Sequence, residues 1–103
     1  MSNKERCVVI AEFSVHPIGQ GTSVSRYVRA ALNQLRKARG VRLLVTPMGT
    51  VIEASSLHDL LSAVEKAHES VFEEGAGRVS FTLLVDDRRD KKRRMEDKIA
   101  SVT

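Results

Sequence analysis

Residues 7–15, CVVIAEFSV, are rich in β-branched and aromatic side chains and too few for an ordinary helix, so they predict a first strand. From Ser23 onward the period changes. Val24, Tyr27, Val28, Ala31, Leu32 and Leu35 recur at three- and four-residue steps, the stripe of an amphipathic helix, with Gly40 as its stop. VRLLVT and GTVIEA follow, joined through Thr46-Pro47-Met48-Gly49. Proline pre-sets the second position of a type I turn and glycine suits the fourth, so the two runs predict a hairpin. Ser56 with Asp59 three positions on has the form of a helix N-cap. Leu57, Leu60, Leu61, Val64, Ala67 and Val71 then mark a second amphipathic helix, ending near Gly75 or Gly77. RVSFTLLVD alternates Val79, Phe81, Leu83 and Val85 against Ser80, Thr82 and Leu84, the pattern of a half-buried strand. Met95, Ile99 and Val102 are spaced for a short last helix.

This order predicts an α+β fold, a ferredoxin-like βαββαβ sandwich with an extra C-terminal helix, as one domain over residues 1–103. Right-handed crossovers are expected to set the first and last strands side by side in the middle of the sheet, under the two long helices. If Val9, Ala11 and Phe13 face those helices, Val8 and Ile10 point the other way, and Leu84 does the same on the last strand. Each of these three side chains would contribute roughly 1.5–3 kcal/mol on leaving water, so the second face predicts self-association. The alternative is that the terminal helix folds over that face within one chain.

At 103 residues the chain has room for one core, which buries ~65% of the unfolded surface. With 42% hydrophobic and 29% charged residues it has a globular composition, not a disordered one. No apolar stretch approaches the ~20 residues of a membrane span, and MSNKERCVVIAEF lacks a cleavage site, so the chain reads as cytoplasmic with no membrane partner. Cys7 is the one cysteine, which leaves no intrachain disulfide and no metal framework; it reads as a small core or strand-edge residue. The net charge of +4 is local. RRDKKRR at 88–94 holds six of the 17 basic residues and one acid, a block of +5, while the remainder comes to −1.

The stretch HPIGQGTSVSRYV, 16–28, places two glycines and several hydroxyls before the first helix, a setting that often holds anions. It has neither the lysine-hydroxyl pair of a P-loop nor the three spaced glycines of a dinucleotide fingerprint. What remains is a loop whose glycines allow close backbone approach and whose Thr22, Ser23 and Ser25 offer hydroxyls near a helix start; the plainer reading is that Ser23 caps the helix. His16, His58 and His68 show no zinc-helix spacing, and His58 and His68 read as solvated helix residues. No G-x-S-x-G or similar constellation is present, which sets catalysis behind binding. RNA-recognition domains share this element order but stack bases on aromatics of the first and third strands, and GTVIEA has none. Nucleic acid is therefore left with the 88–94 block, which otherwise reads as a solvated run opening the last helix. Its cations sit on the unfavourable side of that helix's dipole, a strain that acidic residues of a neighbouring subunit would relieve as well as nucleic acid would.

Three stretches together, FSVHPIGQGTSVSRYV, LVTPMGTVIEA and RVSFTLLVDDRRDKK, resemble the small thiamine-binding protein family over nearly the whole chain. The resemblance implies a ferredoxin-like domain whose subunits pair through their sheets into a dimer and further into a homotetramer. It also implies a non-enzymatic role, binding thiamine or its hydroxymethylpyrimidine moiety without a cofactor. The positions carried over are Ser14, Pro17 and Gly19 in the first loop, Ser23 at the helix start, and Met48 and Thr50 in the hairpin. Hydroxyls of Ser14, Ser23 and Thr50 suit the hydrogen-bonding edges of an aminopyrimidine, and Pro17, Ile18 and Met48 suit its faces. Ala54 stands after Glu53 where the family motif has glycine. Glu12 and Glu53 are candidates to face a thiazolium if their strands are neighbours, and Asp86-Asp87-Arg88 reads as holding a strand end. Two alternatives stand beside the ligand reading: an oligomeric structural or regulatory module without a ligand, and weak RNA binding through the basic block.

Overall fold

A computed structural model describes residues 8–103. The expectation for Cys7 lies outside the described residues. The elements are β1 (Val9–Pro17), α1 (Ser25–Lys37), β2 (Val41–Thr46), β3 (Gly49–Ala54), α2 (Leu57–Glu73), β4 (Val79–Asp87) and α3 (Met95–Ala100). They build the α+β, ferredoxin-like arrangement with its additional terminal helix. The sheet order is β2-β3-β1-β4 and every neighbouring pair is antiparallel. One expectation is corrected here: β1 and β4 are adjacent, but β4 is an edge strand and the middle of the sheet is β3 with β1. Each helical crossover skips one strand, so β3 fills the gap left between β1 and β2, and β1 fills the gap between β3 and β4.

Alternation along β1 sends Val9, Ala11, Phe13 and Val15 to the helical side, where Ile52 and Ala54 of β3 join them. From above, α1 contributes Tyr27, Ala31 and Leu35, and α2 contributes Leu60, Ala63, Val64, Ala67 and Val71. Leu35, Ile52, Leu60 and Val71 are fully buried, each contributing roughly 1.5–3 kcal/mol. On α2 the stripe is narrower than the leucines suggest. Leu57 and Leu61 lie exposed on its flank, whereas Ser70 is buried and donates its hydroxyl to the Ala67 carbonyl at 2.6 Å. β4 is also wetter than its alternation implies, because an edge strand is overhung by less helix. Val79 and Leu83 pack on the core, but Phe81 and Val85 stay exposed. His68 is not simply solvated: its ring stands edge-on to Phe72 and Phe81, with centroids 5.1 and 5.4 Å away.

Helix ends follow the sequence at one start and depart from it at the other. The Ser56 hydroxyl accepts the Asp59 amide at 3.1 Å and caps α2. The first turn of α1 instead has Val24 at its N-cap and no side-chain cap, so Ser23 does not serve as one. Gly40 has φ +68, and a Cβ there would come within 2.9 Å of the Ser55 hydroxyl oxygen; backbone conformation and space both require glycine.

The other sheet face is partly covered from within. Glu53 lies opposite Ile10 and Arg42 on that face and is nevertheless buried, because α3 folds across it. Its carboxylate accepts Arg42 Nε at 2.7 Å and the Met95 amide at 3.1 Å. Arg42 Nη2 also donates to Glu96 at 2.7 Å, and Lys98 pairs with Asp86. Together the Glu53 and Glu96 carboxylates hold the Arg42 guanidinium above its ordinary range. The terminal helix thus covers one end of the face. Beyond it Leu84, 62% exposed, and Leu44 remain open to solvent.

Candidate functional site

β1 is longer than its inner neighbour. Pairing with β3 ends at Phe13↔Thr50, while pairing with β4 continues to Pro17↔Val79. From Ser14 onward, β1 therefore has a partner on one side only, and the space beside it forms a cleft of about 190 Å³. Its walls are the end of β1, the β2–β3 hairpin tip and the first turns of α1.

Each wall follows from local sequence. Pro47 and Met48 make a two-residue connection between Thr46 and Gly49. No described non-glycine residue has positive φ, so Pro47 and Met48 both have the negative φ that a type I turn requires. The Thr46 hydroxyl donates to the Gly49 carbonyl at 2.8 Å and accepts the Met48 amide at 3.3 Å. It is committed to the turn. Met48 projects outward, 85% exposed, over the cleft edge. On the α1 side, Val24, Val28, Ala31 and Leu32 supply an apolar wall, and Val45 closes the sheet side. Thr50 is buried next to Phe13 on the helical side, and Ser14 and His16, on the other face of β1 by its alternation, border the cleft from the open sheet side.

Of the six residues singled out in the sequence, the structure brings Ser14, Met48 and Thr50 together in this lining. Pro17, Gly19 and Ser23 do not line it. Pro17 is buried at the end of β1, and Gly19 lies in the connection that leads to Val24 and Val28. Gly19 and Gly21 have φ +85 and +78, and a Cβ at either would meet nothing within 4 Å. Their glycines serve backbone conformation, not close approach. Ser23 is exposed in the same connection. Val28, Leu32 and Val45 escaped the sequence reading because a half-buried aliphatic residue looks alike on a ligand wall and on a core. His16 lies within the quoted motif and was the residue that could have been picked.

The two acids considered for a thiazolium lie elsewhere, although their strands are neighbours. Glu12 is exposed on the open sheet face, opposite Val51 and Leu84. Glu53 is engaged by Arg42 and Met95 at the far end of the sheet. No carboxylate side chain lines the cleft among the described residues. Asp86 and Asp87 hold the end of β4 through Lys98 and Arg89. Among the described residues no cluster of three His, Cys, Asp or Glu side chains is placed to hold a metal ion. No helix among the described residues is long and apolar enough to cross a membrane. A larger cleft of about 550 Å³ lies at the α3 end, but its lining is mostly charged and polar, the wrong chemistry for the faces of a neutral ring.

The comparisons with known proteins agree with this frame. A family model described as "Thiamine-binding protein" matches residues 11–103, a span that contains all six positions named above. The chain is 46% identical over 96 residues to the UPF0045 protein of Methanothermobacter thermautotrophicus, covering 92% of this chain and 96% of that protein. It is 41% identical over 99 residues to the UPF0045 protein YqgV of Bacillus subtilis, at 92% and 94% coverage. The crystal structure of the hypothetical protein MJ1052 of Methanocaldococcus jannaschii superposes with a TM-score of 0.85, at 36% identity over 92% of this chain and 95% of that one.

Proposed function

The chain belongs to the thiamine-binding protein family, and from that premise we propose that it binds thiamine or a hydroxymethylpyrimidine-like molecule, without catalysis, in the cleft between β1, the hairpin tip and α1. The observation that carries the proposal is the convergence of Ser14, Met48 and Thr50 on one apolar-walled cleft. Aliphatic side chains from α1 and β2 suit the faces of a flat ring, and the buried Thr50 hydroxyl, with Ser14 at the rim, suits its edges. At about 190 Å³ the cleft is smaller than the ~300 Å³ at which drug-sized pockets begin, so it suits one ring and its substituents. In this reading the pyrimidine is held and any thiazolium projects outward, toward the connection carrying Pro17, Gly19 and Ser23. The lack of an acid in the lining favours a neutral ring at the floor.

The protein acts in this reading as a cytoplasmic homo-oligomer, a dimer or tetramer, paired through the sheet face that α3 leaves uncovered. A shallow hollow there, bounded by Ile10, Val51 and Leu84, supports that contact. Calorimetric titration with thiamine, the pyrimidine alcohol and their phosphates tests the ligand. Saturable heat with the pyrimidine alcohol is expected, and no heat with any of the four removes the claim. Light scattering tests assembly: Leu84→Asp is expected to lower the mass, and a wild-type protein that is monomeric at micromolar concentration overturns it.

A further inference from the structure

At the α3 end, the cleft of about 550 Å³ is bounded by Gly40, Arg42 and Ser55 on one side and by Lys92, Arg93 and Arg94 on the other. It shares no lining residue with the ring cleft. Val8, just before the first strand at one cleft, and Ser14, within that strand at the other, are six positions apart, about 20 Å at ~3.3 Å per extended residue.

The structure divides the basic block in two. Arg88 pairs with Asp90 at 2.7 Å and Arg89 with Asp87 at 2.8 Å, so the first half is matched by acids of the same strand end. The second half is not matched in that way. Among the described residues, Lys92 and Arg93 have no ion-pair partner, and both line the cleft. The lining carries Arg42, Lys92, Arg93 and Arg94 against only two carboxylates, Glu53 and Asp97, a surplus of two positive charges. Glu53 is taken by Arg42 and the Met95 amide, and Asp97 accepts the Arg94 amide at 2.9 Å. The cleft therefore presents uncompensated positive charge on a concave surface within the ~300–1,000 Å³ range of small-molecule sites.

We infer that this cleft binds a small, multiply charged phosphate ligand, with Lys92 and Arg93 as its principal contacts. Guanidinium and ammonium donors form their strongest hydrogen bonds to phosphate oxygens, and arginine does so through two parallel N–H groups. A cationic ligand would meet like charge at Lys92 and Arg93. The concavity selects against a long polyanion, which would follow all of residues 88–94 along the surface.

Calorimetry on the full chain with pyrophosphate as the probe tests the inference. Saturable binding is expected, weakened about tenfold or more in Lys92→Ala/Arg93→Ala. Arg88→Ala, which removes a cation of the same block outside the cleft, is expected to leave pyrophosphate affinity within about twofold. Titration of the double variant with the pyrimidine alcohol separates the two sites: unchanged heat there with lost pyrophosphate binding supports a distinct anion site, whatever the outcome for the ring cleft in the wild type. Equal losses in Arg88→Ala and the double variant overturn the inference, since they show a diffuse field. Tight, salt-sensitive binding of single-stranded RNA without saturable pyrophosphate binding overturns it too, in favour of a macromolecular partner.

Discussion

The two ends of the sheet are finished by opposite means. Where β1 runs past β3, side chains of core type close the molecule: Val24, Val28, Leu32 and Val45 surround a few hydroxyls, and the helix start above them has no side-chain cap. Where α3 folds back, charge closes it: Glu53 holds both Arg42 and the α3 backbone, Arg42 reaches Glu96, Lys98 reaches Asp86, and the nearby start of α2 is capped by Ser56. An end built from aliphatic contact can keep an unfilled notch, because its walls rest on the core behind them. An end built from ion pairs depends on every partner being present.

That contrast is open to direct attack. The largest effect is expected from Glu53→Ala. It strips a buried carboxylate, whose side chain is 6% exposed, from a guanidinium that is 45% exposed, and it leaves the Met95 amide without its acceptor. A loss of about 3 kcal/mol, at the low end for a broken buried pair, should appear in urea unfolding, with α3 released first. A loss below about 1 kcal/mol would mean that the charged end is ornamental. Thr50→Val at the other end should weaken ligand binding by about 1–3 kcal/mol, since a polar edge of the ligand is left unmatched, with little change in unfolding. Unchanged affinity would make Thr50 a structural residue only. The helix starts sharpen the contrast further: Ser56→Ala should cost about 1 kcal/mol and Ser23→Ala less than about 0.5, because only the first hydroxyl caps. Equal costs would reverse the assignment of the caps.

The smallest effect is a matter of pH. Hydrogen bonds from Arg89, Arg88 and Arg42 hold Asp87, Asp90 and Glu96 below the ordinary carboxylate range. A carboxylate depressed in the folded state contributes its stabilisation fully above its ordinary value, 3.8 for Asp or 4.5 for Glu, and loses it as pH falls through the folded value. Amide-exchange protection in α3 should therefore begin to fall below about pH 4.5 while that of α1 holds. Parallel loss in the two helices would remove the distinction between the ends.

Much of this was legible in the sequence, and the exceptions have physical causes. Alternation and helical spacing located the elements, but at the last helix only Met95 is buried: Ile99 is exposed, and Val102 lies past the end of α3, exposed, so the expected three-residue stripe is not formed. Strand order was misjudged at β4, since alternation reports which face is buried and says nothing of whether a strand has one neighbour or two; Phe81 and Val85 have the pattern of core residues and the exposure of an edge. On α2, leucine size drew Leu57 and Leu61 into a stripe that the smaller Ala63 and Ser70 in fact share. Of the candidate cleft's lining, Ser14, Met48 and Thr50 were reachable through the family motifs. The apolar wall was not, because periodicity cannot tell Val28 beside a ligand from Val28 beside another valine. The division of the basic block was hidden as well, since Arg88 and Arg93 differ only in what the chain folds beside them.

The mismatch in strand length has a consequence for how such a site can change. β3 stops at Gly49 while β1 continues to Pro17, and the vacancy between them is set by the tip of the β2–β3 hairpin. Inserting one residue on each arm of that hairpin would extend the ladder along Ser14 and Val15 and shut the opening; deleting a pair would widen it. The chain thus carries an adjustable stop, independent of the packing beneath the helices, through which the width of the cleft can change while the scaffold stays as it is.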